Sequence, residues 1–317
     1  MNILGLVLGV LLASPGAGED RKPATLQERL GHPAGSRLLV IHADDLGMAH
    51  SVNRATFEAL DKGWITSASV LVPCPWFPEA AAFARAHPEA DLGVHLALNS
   101  EWSGFRWGPV SGVDAVPSLV DEHGYFPMLE TAVAERARLP EVERELRAQV
   151  RRARSAGLHI THLDSHMAAL FQSAGLLEAY RRLGKELDVP VLLEREGERG
   201  GARSPWASAA AGEALVDRVV SIAPGVPATE WLEGYRRLLA PLPPGVYQLI
   251  VHLAYDDDEM RGATAGHPDW GAAWRQSDLD LVRSPAFRGF LRDEGFVLVG
   301  WRDLARARRS PTGGGPE

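Results

Sequence analysis

The chain has 317 residues, 45% hydrophobic and 23% charged, an ordinary globular composition with enough apolar residues for a sizeable core. Its 33 basic against 41 acidic residues give a net charge of −8, which argues against nucleic-acid and anionic-membrane partners, since both call for a basic stripe. The single cysteine, Cys74, rules out an intramolecular disulfide and a thiolate metal cluster, and beside the apolar run of "LVPCPW" it reads as a small buried hydrophobe.

Along the chain, "MNILGLVLGVLLASPGAG" comes first. Its apolar stretch from Ile3 to Leu12 is too short to span a bilayer and precedes small residues and then "EDRK". This reads as an export signal covering residues 1–18, with cleavage near Ala17 or Gly18 and a periplasmic or secreted product. A misassigned start would instead leave the protein cytoplasmic. Residues 19–35 and the tail 308–317 are expected to be flexible. Between them, a single domain over 36–307 is expected.

Within that domain, apolar runs of strand length recur at 37–43, 66–72, 91–98, 158–164, 189–193, 247–253 and 296–300. Helical patterns alternate with them. One runs from about Ser51 to Lys62 and stops at Gly63. The clearest is "PEVERELRAQVRRARSAG": Pro140 suits a first turn, Val142, Leu146, Val150 and Ala153 share one face, and Gly157 ends it. The alternation predicts parallel βαβ units and an α/β fold, a (β/α) barrel that is complete, distorted or seven-stranded. The aromatic, turn-rich stretch 99–136 predicts a long βα insertion over the C-terminal mouth, where barrels bind substrates.

The chemistry-bearing residues fall at strand ends. Asp44 and Asp45 end the first strand, His95 lies in "GVHLALN", His162, Asp164 and His166 form "THLDSH", and His252 closes "IVHL". Each has an ordinary explanation alone: a turn carboxylate, a helix cap, a hydrogen-bonded core histidine. In a parallel barrel, however, all these ends share one rim, which makes them one candidate site. His162 and His166 stay ambiguous, because a helix would bring them together whereas a strand would separate them. Trp102, Trp107, Trp270 and Trp274 sit in or near loops, where they could stack on a sugar face or simply pack. The acidic run Asp256, Asp257, Asp258 and Glu259 reads as a solvated loop. His32, His42, His50, His87, His123 and His159 are given no role.

The motifs "HADDLG", "GVHLALN" and "THLDSH", in this order, resemble the YdjC-like (ChbG/HpnK) carbohydrate deacetylases, with "SLVDEHGYF" and "SPAFRGFLRDEGFVLVGWRDL" extending the likeness over most of 37–305. The resemblance implies a barrel-like fold and metal-dependent removal of an N-acetyl group from an amino sugar or oligosaccharide. It makes Asp45, His95 and His166 ligands of one divalent ion; Zn²⁺ suits them best, and Mg²⁺ or Mn²⁺ can also be accommodated. Asp44 becomes the general base and His252 the acid that protonates the leaving amine, with His267 of "GHPDW" as its rival. His162 and Asp164 become supporting residues that orient ligands or fill the rim; separately from the resemblance, Arg195 closes a strand in "LLERE", where it could meet a substrate hydroxyl or simply pair with Glu194 or Glu196.

The chain departs from its relatives twice. "MAALF" follows "DSH" where relatives carry further histidines, and Leu253 stands where a proline usually follows the late histidine. The implied partner is an acetylated sugar; a homodimer is left open. Two other readings remain: a saccharide-binding barrel with impaired catalysis, and a barrel metal hydrolase or isomerase acting on another bond.

Overall fold

A computed structural model of the chain describes residues 24–195, 207–209 and 215–309. In chain order its strands are β1 (Arg37–Leu46), β2 (Ser67–Val70), β3 (Leu92–Leu96), β4 (Ile160–Ser165), β5 (Glu194–Arg195), β6 (Ala207–Ala209), β7 (Arg218–Val220), β8 (Gly245–Val251) and β9 (Phe296–Leu298). The helices are α1 (Leu26–Arg29), α2 (His50–Asp61), α3 (Phe77–Ala86), α4 (Glu130–Arg136), α5 (Leu139–Ser155), α6 (Ala174–Leu187), α7 (Trp231–Leu239), α8 (Asp258–Ala263), α9 (Ala272–Arg283), α10 (Pro285–Asp293) and α11 (Trp301–Arg309). No helix among the described residues is long and apolar enough to cross a membrane.

The main sheet is parallel and runs in the order β4-β3-β2-β1-β8-β7, with β9 beside the start of β1. It curves as a half-barrel with the helices packed around it, which is the α/β class expected from the alternating pattern. Nine of the ten β1 residues are buried, as both faces of a parallel strand must be when helices cover one and other strands the second. Alternation then sorts the side chains: Leu39 and Ile41 join the large core under the helices, while Leu38 and Val40 join a smaller inner cluster with Val246, Ile250 and Trp301.

Backbone bonds continue beyond β4. Leu163 N–H donates to Pro190 O, Leu192 N–H to Leu163 O, Arg195 N–H to Val216 O and Asp217 N–H to Val246 O. The run 189–193 was expected to be a strand, but only Val191 forms a β-bridge there, with Leu163. Pro190 has no N–H to give to a ladder, and regular pairing starts later, at β5. β6 and β7 were not anticipated; at three residues each they carry too little pattern to read.

The flanks also differ from expectation. Within 24–35, expected to be flexible, α1 forms behind a capping box of Thr25 and Glu28, and Leu26 and Leu30 pack on the inner cluster. At the other end α11 runs on to Arg309. The expected export signal, 1–18, lies outside the described residues, as does most of the expected tail.

Candidate metal centre

Three strands deliver the site. On β4 the period of two puts His162, Asp164 and the following His166 on the inner face, and β3 lies in register so that His95 is the Cα partner of Asp164. On β1 the same period would place Asp44 inward and Asp45 outward. Asp45 instead takes a left-handed φ of 68°, within a register shift between Ala43 and Leu46, and both carboxylates line one cavity. The backbone thus uses a local irregularity to aim two consecutive side chains the same way.

The result is a triangle of ligand-type atoms. His95 Nε2 lies 3.2 Å from His166 Nδ1 and 3.5 Å from Asp45 Oδ1, and the third edge, His166 Nδ1 to Asp45 Oδ1, is 3.4 Å. Each vertex is held from behind. His95 Nδ1 meets Asp164 Oδ1 at 2.8 Å, His166 Nε2 meets Glu101 Oε2 at 2.8 Å, and Arg275 Nη2 donates to Asp45 Oδ2 at 2.7 Å. Asp45 Oδ1, though buried, has no hydrogen-bond partner. An acceptor left bare inside a triangle with two imidazole nitrogens suits a cation far better than an apolar void. The residues therefore fit a divalent ion. Two other sets of buried groups also converge, His42 with His162 and Asp164, and Asp44 with His95 and Asp164. Asp164 belongs to both, and its two oxygens already bond His42 and His95.

The electrostatics follow the neighbours. Burial opposes charge on His95, but Asp164 and Asp44 overcome it and lift the pKa to about 8. The same contest on His166, won chiefly by Glu101 and Asp45, lifts it to about 10. Burial would raise Asp45, yet Arg275 and His166 hold it well below the usual carboxylate range. Asp44 goes the other way: burial outweighs the pull of His95 and His42 and raises it to about 6. His252 follows β8 with its backbone N–H on Asp278, and its Nε2 is 3.9 Å from Asp44 Oδ2. Burial brings it down to about 3; Asp45 pulls upward, but Arg275, His95 and His166 add to the depression.

The cavity over this centre has a volume of about 610 Å³ and is walled by Trp102, Met128, Leu129, Met167, Trp270 and His267. The stretch 99–136 supplies Glu101 and Trp102 and then Met128 to Glu130, so part of the wall comes from it. Met167 and Ala168, in the "MAAL" turn, have left-handed φ of 46° and 53° and present Met167 to the opening.

Not every expected residue is here. Asp44, Asp45, His95, His166, His252 and His267 line the cavity, and Asp164 stands directly behind His95. His162 sits deeper: its ring stacks on Trp301 and meets His42 edge-on, and its Nδ1 bonds Thr161. Arg195 does not line the cavity; its guanidinium pairs with Asp217 Oδ1 at 3.1 Å, away from the rim. Trp107 lies edge-on to His166, while Trp274 packs on Trp231. In the acidic run, Glu259 accepts from the N–H groups of His50 and Ser51 and so holds the start of α2, which makes it more than a solvated charge.

Three residues with no assigned role belong to the centre. His42 bonds Asp164 and Ser69, and a signal for it existed, since it stands two residues before Asp44 on the same strand face. Glu101 and Arg275 had no such signal.

The model of the YdjC-like protein family matches residues 38–293. A carbohydrate deacetylase of Thermus thermophilus is 36% identical over 286 residues, covering 89% of this chain and 98% of the relative. A chitooligosaccharide deacetylase of Klebsiella pneumoniae is 27% identical over 284 residues, covering 84% and 99%. Among solved structures, an Enterococcus faecalis protein described as a candidate for cellobiose-phosphate cleavage superposes with a TM-score of 0.68 at 22% identity, over 85% of this chain and 99% of that one.

Proposed function

The chain belongs to the YdjC-like family, and from that premise we propose that it is a metal-dependent hydrolase removing the N-acetyl group from an amino sugar or oligosaccharide. The observation that carries the reading is the bare Asp45 Oδ1 in its triangle with His95 and His166, beside a second carboxylate, Asp44, in the same cavity. Two imidazoles and one carboxylate form a donor set that suits Zn²⁺ best, with Mg²⁺ and Mn²⁺ also accommodated.

When bound, the ion supplies Lewis acidity, which an unreactive acetamide needs. The chain's own groups do the rest. Asp164 and Glu101 accept from the outer nitrogens of His95 and His166 and so fix which nitrogen of each ring faces inward. Asp44, with a pKa of about 6, takes the proton from the attacking water near neutral pH. The leaving amine needs a proton, and His252 is neutral at rest, so it must receive one before giving it. Asp44 holds the proton taken from water; its Oδ2 is 3.9 Å from His252 Nε2, beyond direct hydrogen-bond reach, so a bridging water carries that proton to His252 as the amine develops its need for it. His267 lines the same cavity but packs edge-on against Trp102, and of the two histidines His252 is the one beside Asp44.

The fold serves this chemistry as a distorted seven-stranded (β/α) barrel, a reading supported by the backbone bonds through 190–195 and 216–217 that join the two ends of the sheet. The insertion 99–136 covers its C-terminal mouth, and residues 1–18 direct export. Acetate release from N-acetylglucosamine and short chitooligosaccharides, before and after chelation, tests the function. Release abolished by chelator and restored by Zn²⁺ is the expected result. No acetate from any N-acetyl sugar under any of the three metals overturns it.

A further inference from the structure

Arg275 reaches the centre from α9, 230 residues beyond its partner, and is 1% exposed. Two of its donors are committed: Nη2 to Asp45 Oδ2 at 2.7 Å and Nε to the Trp270 carbonyl at 2.6 Å. The Trp102 ring lies 5.7 Å from its central carbon and covers it. The loop before α9 is shaped for this. Trp270 adopts a left-handed φ of 55°, and a Cβ on Gly271 would collide with the His267 carbonyl, so the turn that aims Trp270 O at Arg275 requires glycine next to it.

The consequence falls on Asp45. Its Oδ2 is taken by the guanidinium, while Oδ1 alone faces His95 Nε2 and His166 Nδ1. A carboxylate can bind a cation through one oxygen or two, and two would occupy an extra coordination position. With three protein ligands in place, each position lost is one fewer for water and for the substrate carbonyl. We propose that Arg275 is a positioning residue that confines Asp45 to single-oxygen coordination and thereby keeps the positions needed for hydrolysis open. The proposal rests on reading Asp45, His95 and His166 as a metal site.

Cobalt titration separates the two claims, because the intensity of the cobalt d–d bands falls as coordination number rises. Failure of the wild-type protein to bind Co²⁺ would remove the metal site itself. Given binding, Arg275→Met should still take up one equivalent, show weaker bands, and lose about 10- to 100-fold in acetate release, the range for groups that orient ligands. Bands and turnover equal to wild type overturn the proposal. So does a variant that melts like wild type but binds no cobalt, since Arg275 would then be needed to retain the ion. Should Arg275→Met not fold, Arg275→Lys decides: lysine can replace the bond to Asp45 but not the fork to Trp270. It should keep the wild-type cobalt spectrum at a lower melting temperature, and weakened bands overturn the proposal.

Discussion

His162 and His166 come from one strand and its end, are 0% and 4% exposed, and still reach opposite states. The ring of His162 lies against Trp301 and His42, with Asp91 Oδ1 3.9 Å from its Nδ1, and burial drives its pKa well below the ordinary value. His166 is held between Glu101 and Asp45, which lift it to about 10. Burial penalises both charges alike; the neighbours decide. The strand thus carries a neutral structural imidazole at one level and a cation-seeking one about 13 Å further along, at about 3.3 Å of rise per residue.

Replacing each histidine breaks this comparison most directly. His166→Ala should lose the bound metal by elemental analysis and lose more activity than the roughly 100-fold ceiling for groups that merely orient ligands. His162→Phe, which keeps a ring on Trp301, should retain both; loss of metal there would end the distinction between the two. Asp44→Asn should keep the ion but lower acetate release about 10²- to 10⁴-fold, the usual contribution of a general base. Full activity in that variant would take the base role from Asp44. Glu101→Gln should weaken metal binding about 10- to 100-fold, read by competition with a chelating dye.

The smallest effect is on stability. His162 has a depressed folded-state pKa, so below about 6.5 the unfolded chain binds a proton that the folded chain refuses. Its contribution therefore erodes stability on acidification, by at most about 1.4 kcal/mol per pH unit. In the metal-free protein His166 has the opposite sign: it stabilises the fold below about 6.5, and this is lost as pH rises through about 10. Melting between pH 7 and 5.5 should accordingly drop less in His162→Phe than in wild type. An equal drop would show that His162 is not held neutral.

Much of this was legible in the chain. The runs that became β1, β3 and β8 were long enough to read, α5 announced itself through Pro140 and one apolar face, and the polar strand ends marked a rim. The period of two on 162, 164 and 166 already implied that these side chains share a face at different heights. It implied the same of His42 and Asp44. Tertiary structure alone decided the rest. Pairing is non-local, so sequence could not show that Glu101 would come to His166 or that Arg275 would cross 230 residues to Asp45. Nor could it show that Asp45 would turn left-handed to face inward beside Asp44. Residue types and spacing determined which groups were available; packing determined which of them stand within hydrogen-bond reach, and protonation depends on that reach.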